Sequence, residues 1–201
     1  MKRIFDFILS AGLILIFSPF FILISLTVKL TSKGPIFFAQ RRIGKDNKEF
    51  ILYKYRTMRL DAPNIATHLF QDPDQYITLV GKFLRKSSLD ELPQLINILK
   101  GEMTFVGPRP ALYNQYDLNE MRTKVGVHTL LPGVTGWAQV NGRDELNLKE
   151  KVECDYYYLR NKSVALDLKI IILTFTKVIQ ADGILEGTNQ SVQAQNDKAN
   201  V

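Results

Sequence analysis

From Phe7 to Val28 the chain carries no charged side chain, and most positions are Ile, Leu or Phe. As a helix rising ~1.5 Å per residue, such a run reaches across a bilayer core of roughly 30 Å. Ser18-Pro19 interrupts it. Pro19 lacks the N–H that an inner helical turn needs, and its ring clashes with the preceding turn, so the helix bends there. Each arm is then roughly 14–18 Å long, about one leaflet deep. Positive charge lies on both flanks: Lys2 and Arg3 before the run, then Lys29, Lys33, Arg41 and Arg42 after it. Lys and Arg mark the cytoplasmic side, so these flanks describe a re-entrant hairpin dipping into one leaflet. A kinked spanning helix is the open alternative, since prolines also occur in spanning helices. The later flank is the more basic, so either topology leaves the rest of the chain in the cytoplasm. A cleaved signal peptide fits poorly, because no small-residue cleavage site precedes Lys29 and the run is too long.

The remainder of the chain is long enough for one ordinary core. The chain has 201 residues, 46% hydrophobic and 23% charged, a composition that folds into a globule rather than a disordered chain. A formal charge of +6 suits nucleic acid, anionic lipid or phosphorylated substrates, and does not choose among them. Cys154 is the only cysteine, which excludes an internal disulfide and is compatible with a reducing compartment. With His68 and His128 the only histidines, a zinc site built from several His and Cys ligands is nearly excluded.

Lys33-Gly34-Pro35 reads as a turn, and Ile36–Ala39 and Phe50–Tyr53 as short strands around a polar loop. Residues 59–80, with Pro63 and Pro73, read as a long excursion, and residues 81–100 hold helical material. Residues 107–143 are rich in Gly and Pro and poor in periodicity; their apolar content points to a binding surface. Residues 163–181 alternate as a helix, with Val164, Leu166, Leu168, Ile171, Ile172, Phe175, Val178 and Ile179 set against Asp167, Lys169 and Lys177. Both a core helix and a helix lying on the membrane surface fit that pattern. The expected architecture is α/β, of the α+β kind and helix-rich. It has a membrane hairpin over residues 1–33, one small catalytic domain with short strands and amphipathic interfacial helices over 34–185, and a polar, disordered tail over 186–201.

Four patches could carry chemistry. Lys86–Asn97 opens a helix, where Ser88 with Glu91 matches a capping box and Pro93 would instead move the cap to Asp90. Capping and dipole chemistry alone account for Ser, Asp and Glu at a helix start. The functional alternative puts a phosphate at the free N–H groups and Asp90 beside it as nucleophile or metal ligand. Consecutive helical residues point about 100° apart, so Asp90 and Glu91 share one pocket only at an irregular helix entry. Gly107-Pro108-Arg109-Pro110 fixes a guanidinium between two prolines, which makes either a phosphate clamp or a rigid surface turn. Pro132–Arg143 contributes turn glycines, Trp137 and a terminal cation, and Lys54-Tyr55-Arg56 adds two more cations. There is no Walker phosphate loop and no G-x-G-x-x-G.

Taken together, these blocks resemble the bacterial sugar transferase family, small monotopic phosphoglycosyl transferases that begin glycan assembly on polyprenyl phosphate. The resemblance rests on the apolar segment with Ser18-Pro19, on Lys54-x-Arg56-Thr57-Met58, and on Ser88-Leu89-Asp90-Glu91-Leu92-Pro93-Gln94-Leu95. It continues through Lys100-Gly101-Glu102-Met103, Val106-Gly107-Pro108-Arg109-Pro110 and Pro132-Gly133-Val134-Thr135-Gly136-Trp137-Ala138-Gln139-Val140-Asn141-Gly142-Arg143. It runs in order over about residues 1 to 185, without departure at the motif positions, and its middle portion looks most like capsule-type members. It implies a re-entrant helix bent at Ser18-Pro19 and a monotopic enzyme of the cytoplasmic (inner) membrane, with its catalytic domain facing the cytoplasm. Asp90 is implied as a nucleophile that attacks the sugar-bearing phosphate of a UDP-sugar and expels UMP. The sugar phosphate is then held as an acyl phosphate until undecaprenyl phosphate takes it. Glu91 is the implied partner in metal binding or proton handling, with Mg²⁺ neutralising the diphosphate through Asp90 and Glu91. Arg109, Lys54, Arg56 and Arg143, with Pro108 and Pro110, are the expected substrate contacts. An N-acetylated deoxyaminosugar is the substrate expected for a capsule-type member. The step would be the first membrane step of capsule, O-antigen or glycoprotein glycan assembly, with membrane lipid and downstream glycosyltransferases as further partners.

Two other classes compete with this reading. A membrane-tethered scaffold explains the anchor and the basic surface but not the Asp-Glu, Pro-Arg-Pro and Gly-rich set. A conventional glycosyltransferase would release UDP instead of UMP. Nucleic acid is not an expected partner, because basic and aromatic residues form no single stripe.

Overall fold

The computed structural model describes residues 2–62, 75–142 and 145–180. Helices α1 (Lys2–Ile16) and α2 (Ser18–Thr31) meet at a 65° bend. Pro19 falls in the first turn of α2, where its missing N–H leaves no bond unmade, and the Ser18 hydroxyl donates to the Leu15 carbonyl at 2.9 Å. Among the described residues no single helix is long and apolar enough to cross a membrane; the bent pair is, by length and composition.

The pair is two-faced. Leu13, Ile14 and Phe21 pack on a core of Phe50, Leu52, Leu95, Ile98 and Met103, while Ile24 and Val28 bury against Tyr55 and Leu84. Ile4, Phe5, Ile8, Leu15, Ile16, Phe20, Leu23 and Leu30 face outward. The first turn of α1 is pinned by charge. The Lys2 ammonium donates to the Val106 carbonyl, the Tyr158 hydroxyl and Asp167 at 2.8–2.9 Å. Arg3 donates to the carbonyls of Ile98 and Leu99, and buried Asp6 accepts from the Thr104 hydroxyl at 2.8 Å. Residues that mark topology in the sequence thus also tie the apolar hairpin to the domain.

Strand β1 (Phe37–Ile43) pairs antiparallel with β2 (Glu49–Tyr55), both longer than expected because the hairpin continues through Arg41 and Arg42. After β2 come α3 (Leu79–Lys86), a 3₁₀ turn over Leu89–Glu91, α4 (Gln94–Lys100) and β3 (Thr104–Val106). The stretch expected to be irregular contains β4 (Ala111–Leu112), α5 (Tyr116–Lys124), β5 (Gly133–Thr135) and α6 (Trp137–Val140). Strand β4 adds to the free edge of β1, giving the order β2-β1-β4, and β3 pairs parallel with β5. Helix α5 lacks a readable stripe because it buries only Leu118.

Helix α7 (Leu148–Asn161) opens on a capping box of Asn147 and Glu150. Helix α8 (Val164–Gln180) satisfies both sequence alternatives. Ile170 is fully buried, with Leu166, Ile171 and Leu173 packed beside its cluster, whereas Val164, Leu168, Ile172 and Phe175 form an exposed apolar stripe. The result is a mixed α/β domain, helix-rich with short strands. The expected tail over 186–201, the 63–74 part of the expected excursion and Arg143 lie outside the described residues.

Candidate active site

Neither capping reading of the Lys86–Asn97 segment is what the chain adopts. Ser88 takes a left-handed backbone conformation, φ 56°, with no side-chain cap. Asp90 and Glu91 sit in the adjoining 3₁₀ turn, and α4 begins only after Pro93, again without a side-chain cap. A left-handed serine is costly for a residue with a Cβ; here it breaks what would be one helix into α3 and α4 and leaves the Asp-Glu pair on the irregular connection. Asp90 is 8% exposed.

Strand β2 delivers Lys54, whose ammonium lies 2.6 Å from the Glu91 carboxylate with both side chains largely shielded. The register between β2 and α4 is held by fully buried Asn97. Its carbonyl accepts from the Tyr53 N–H at 3.1 Å, and its amide donates to the Ile51 carbonyl at 2.6 Å and to Glu102 at 2.7 Å. Arg109 approaches the same Glu91 oxygen at 3.7 Å. Its turn, between Pro108 and Pro110, comes directly after Gly107, whose N–H donates to the Thr135 carbonyl at 2.8 Å, while the Gly133 N–H donates to the Pro108 carbonyl at 2.9 Å. A Cβ at Gly133 would overlap the Gly107 nitrogen and one at Gly136 the Gly107 carbonyl, so the glycines are what let the two segments touch. From below, Arg122 donates to the Arg109 carbonyl at 2.9 Å and pairs with buried Asp155 at 2.6 Å.

The site therefore gathers Asp90, Glu91, Lys54 and Arg109. Arg56 is not gathered with them. It is 5% exposed and donates to the carbonyl and hydroxyl of Ser32 at 2.8 and 2.6 Å, stapling the end of α2 to β2. Two arginines that the motifs passed over belong to the surroundings. Arg85, in the last turn of α3, donates to the Thr57 hydroxyl at 2.9 Å and acts electrostatically on Asp90. Arg42 acts on Arg109 and Glu91 from β1. Arg85 sits one residue before the Lys86–Asn97 segment, a weak sequence signal; Arg42 reads as a flanking charge.

Burial is the main cause raising the pKa of Asp90, and the Glu91 charge adds to it; Lys54 opposes most strongly, then Arg85 and Arg109. Among the described residues no three His, Cys, Asp or Glu converge as a metal cage. Among the described residues Glu91 is already engaged by Lys54 and Arg109, so Asp90 would be the principal ligand of a cation and Glu91 a secondary one. One or two carboxylates completed by substrate phosphates and water is the usual donor set of Mg²⁺, so these residues fit that ion.

The description of bacterial sugar transferases matches residues 1–181 of this chain. The chain belongs to the bacterial sugar transferase family. Among its relatives, the uncharacterized sugar transferase EpsL of Bacillus subtilis is 40% identical over 185 residues, 92% of this chain and 90% of the relative. The UDP-glucose:undecaprenyl-phosphate glucose-1-phosphate transferase of Escherichia coli is 42% identical over 185 residues, 88% of this chain but 40% of the relative. The UDP-N-acetylgalactosamine-undecaprenyl-phosphate N-acetylgalactosaminephosphotransferase of Aeromonas hydrophila is 37% identical over 189 residues, 91% of this chain and 44% of the relative. The chain thus spans less than half the length of these last two transferases.

Proposed function

We propose that this protein transfers a sugar-1-phosphate from a UDP-sugar to undecaprenyl phosphate at the cytoplasmic face of the inner membrane, releasing UMP. The observation that carries this reading is a shielded Asp90 beside a Glu91 that gathers Lys54 and Arg109; named relatives of the same family act on these substrate classes. An Asp90 oxygen attacks the sugar-bearing phosphorus, the bond from that phosphorus to the UMP oxygen breaks, and the sugar phosphate stays on Asp90 as an acyl phosphate. An oxygen of the polyprenyl phosphate then attacks the same phosphorus and Asp90 leaves as carboxylate. Splitting the transfer lets the nucleotide and the lipid react in turn. Phosphoryl transfer rests on in-line positioning and charge neutralisation: Lys54 and Arg109 hold the diphosphate, and Glu91 fixes both cations. Mg²⁺, held by Asp90 with help from Glu91, would supply further neutralisation of the diphosphate. An N-acetylated deoxyaminosugar is the sugar we favour. Helices α1 and α2 form a re-entrant hairpin, and the exposed stripe of α8 lies in the same interface.

The test is purified protein in detergent with Mg²⁺, undecaprenyl phosphate and a panel of UDP-sugars, with the released nucleotide assayed. Lipid-dependent UMP is the expected product; UDP would place the chain among conventional glycosyltransferases, and no nucleotide from any sugar would reject the reaction. In the same assay Gly136→Ala is expected to lower kcat/KM for the nucleotide sugar about tenfold, because the Gly107 carbonyl must retreat and take the Arg109 turn with it. Wild-type kcat/KM in that variant would separate the glycine contact from the site.

A further inference from the structure

Strand β1 places Arg41 and Arg42 on opposite faces, and both grip the segment that leaves the Arg109 turn. The Arg41 guanidinium lies 4.1 Å from the centre of the Tyr113 ring. Arg42 reaches past its ladder partner Leu112 and donates to the Pro110 carbonyl at 3.1 Å, while Gln40 holds its other terminal nitrogen at 2.6 Å. Two independent contacts thus hold the segment after Arg109 to the β1 edge, one of them, from Arg42, at the residue directly after Arg109. Arg42 is also an electrical neighbour of the site: burial lowers its pKa, the Arg109 charge lowers it further, and the Glu91 charge opposes them only in part. Its Nε is buried without a hydrogen-bond partner. A guanidinium held partly unsatisfied against a like charge is a poor choice for a strut alone, where a neutral side chain would reach the same carbonyl. Around the Asp-Glu pair, Arg42, Lys54, Arg85 and Arg109 face two carboxylates, a net positive field suited to an anionic diphosphate.

We propose that Arg42 is the positioning residue that seats Arg109 for the nucleotide diphosphate, by tying the Pro110 carbonyl to β1 and pressing a second cation behind the first. This role rests on the phosphosugar-transfer reading above. Without Arg42 the Arg109 turn loses its tether and the field over Glu91 weakens, so the nucleotide diphosphate that Arg109 grips suffers far more than the singly phosphorylated lipid acceptor.

The experiment compares the full chain in detergent with Arg42→Ala and Arg42→Lys, by equilibrium binding of UDP, by steady-state kinetics and by thermal unfolding. Arg42→Ala is expected to weaken UDP binding and raise KM for the UDP-sugar about tenfold. KM for undecaprenyl phosphate should stay within about twofold and the melting temperature within a few degrees. Arg42→Lys keeps the charge but not both bonds and is expected to fall between. A UDP affinity within about twofold of wild type in Arg42→Ala overturns the proposal, as does a loss of activity that merely tracks the folded fraction. Absence of UMP release by the wild-type protein would reject the reaction reading instead, and the UDP-binding comparison would still decide the role of Arg42.

Discussion

Asp90→Asn is expected to abolish lipid-dependent UMP release, by about 10³-fold or more, and to eliminate the phosphosugar adduct from the intact-protein mass spectrum. The amide is nearly isosteric, so the loss should come from the missing nucleophile. Stability provides the control. In the folded protein the pKa of Asp90 lies above its ordinary value of 3.8, chiefly through burial. The folded state therefore holds that proton more tightly than the unfolded state. Its contribution to stability is fully present below about pH 3.8 and is lost as pH rises through the folded value. At neutral pH the buried carboxylate is thus a cost that asparagine does not carry. Asp90→Asn should melt at or above the wild-type temperature while being inactive. A normal adduct in this variant would reject Asp90 as the nucleophile; inactivity with a much lower melting temperature would mean that the substitution had damaged the fold.

How much of the molecule is legible in the sequence depends on how local each signal is. Pro19 announces its bend through covalent geometry, and the helices do break there. The Asp90-Glu91 entry depends on Ser88 adopting a left-handed conformation, which no local rule assigns to serine, so both capping readings missed the start of α4. Lys54 lies on β2 and Arg56 directly after its last residue, and the two look equivalent in the motif. Their fates separate only when β2 has neighbours, Ser32 for one and Glu91 for the other. Arg42 is invisible for the same reason: its meaning lies in Pro110, distant in sequence, brought near by a two-residue strand too short to carry a periodic signal. Helix α7 did carry a signal, the Asn147-Glu150 box, but its hydrophobic periodicity is diluted by tyrosines and charges.

Lys54→Met and Glu91→Gln are expected to move the acid limb of the kcat/KM profile in opposite directions. Attack requires the ionised Asp90 carboxylate, so the rate should rise with pH through the pKa of Asp90 in the free enzyme. Lys54 is the strongest charge pulling that pKa down, and Glu91 is the charge pushing it up. Removing Lys54 raises the pKa and shifts the limb to higher pH. Removing the Glu91 charge lowers the pKa and shifts the limb to lower pH. Lys54→Met should also cost about 10²-fold in kcat/KM on the plateau, since a preorganised cation facing the diphosphate is lost. Glu91→Gln cuts the plateau by less than that, because the cations remain although their common anchor is gone. The two residues touch at 2.6 Å, so their effects should not add; the double variant is expected to place the limb between those of the single variants. Shifts of the same sign in both single variants would mean that another group controls the limb. An unmoved limb would mean that the ionisation of Asp90 does not limit the reaction, and the nucleophile would have to be sought elsewhere.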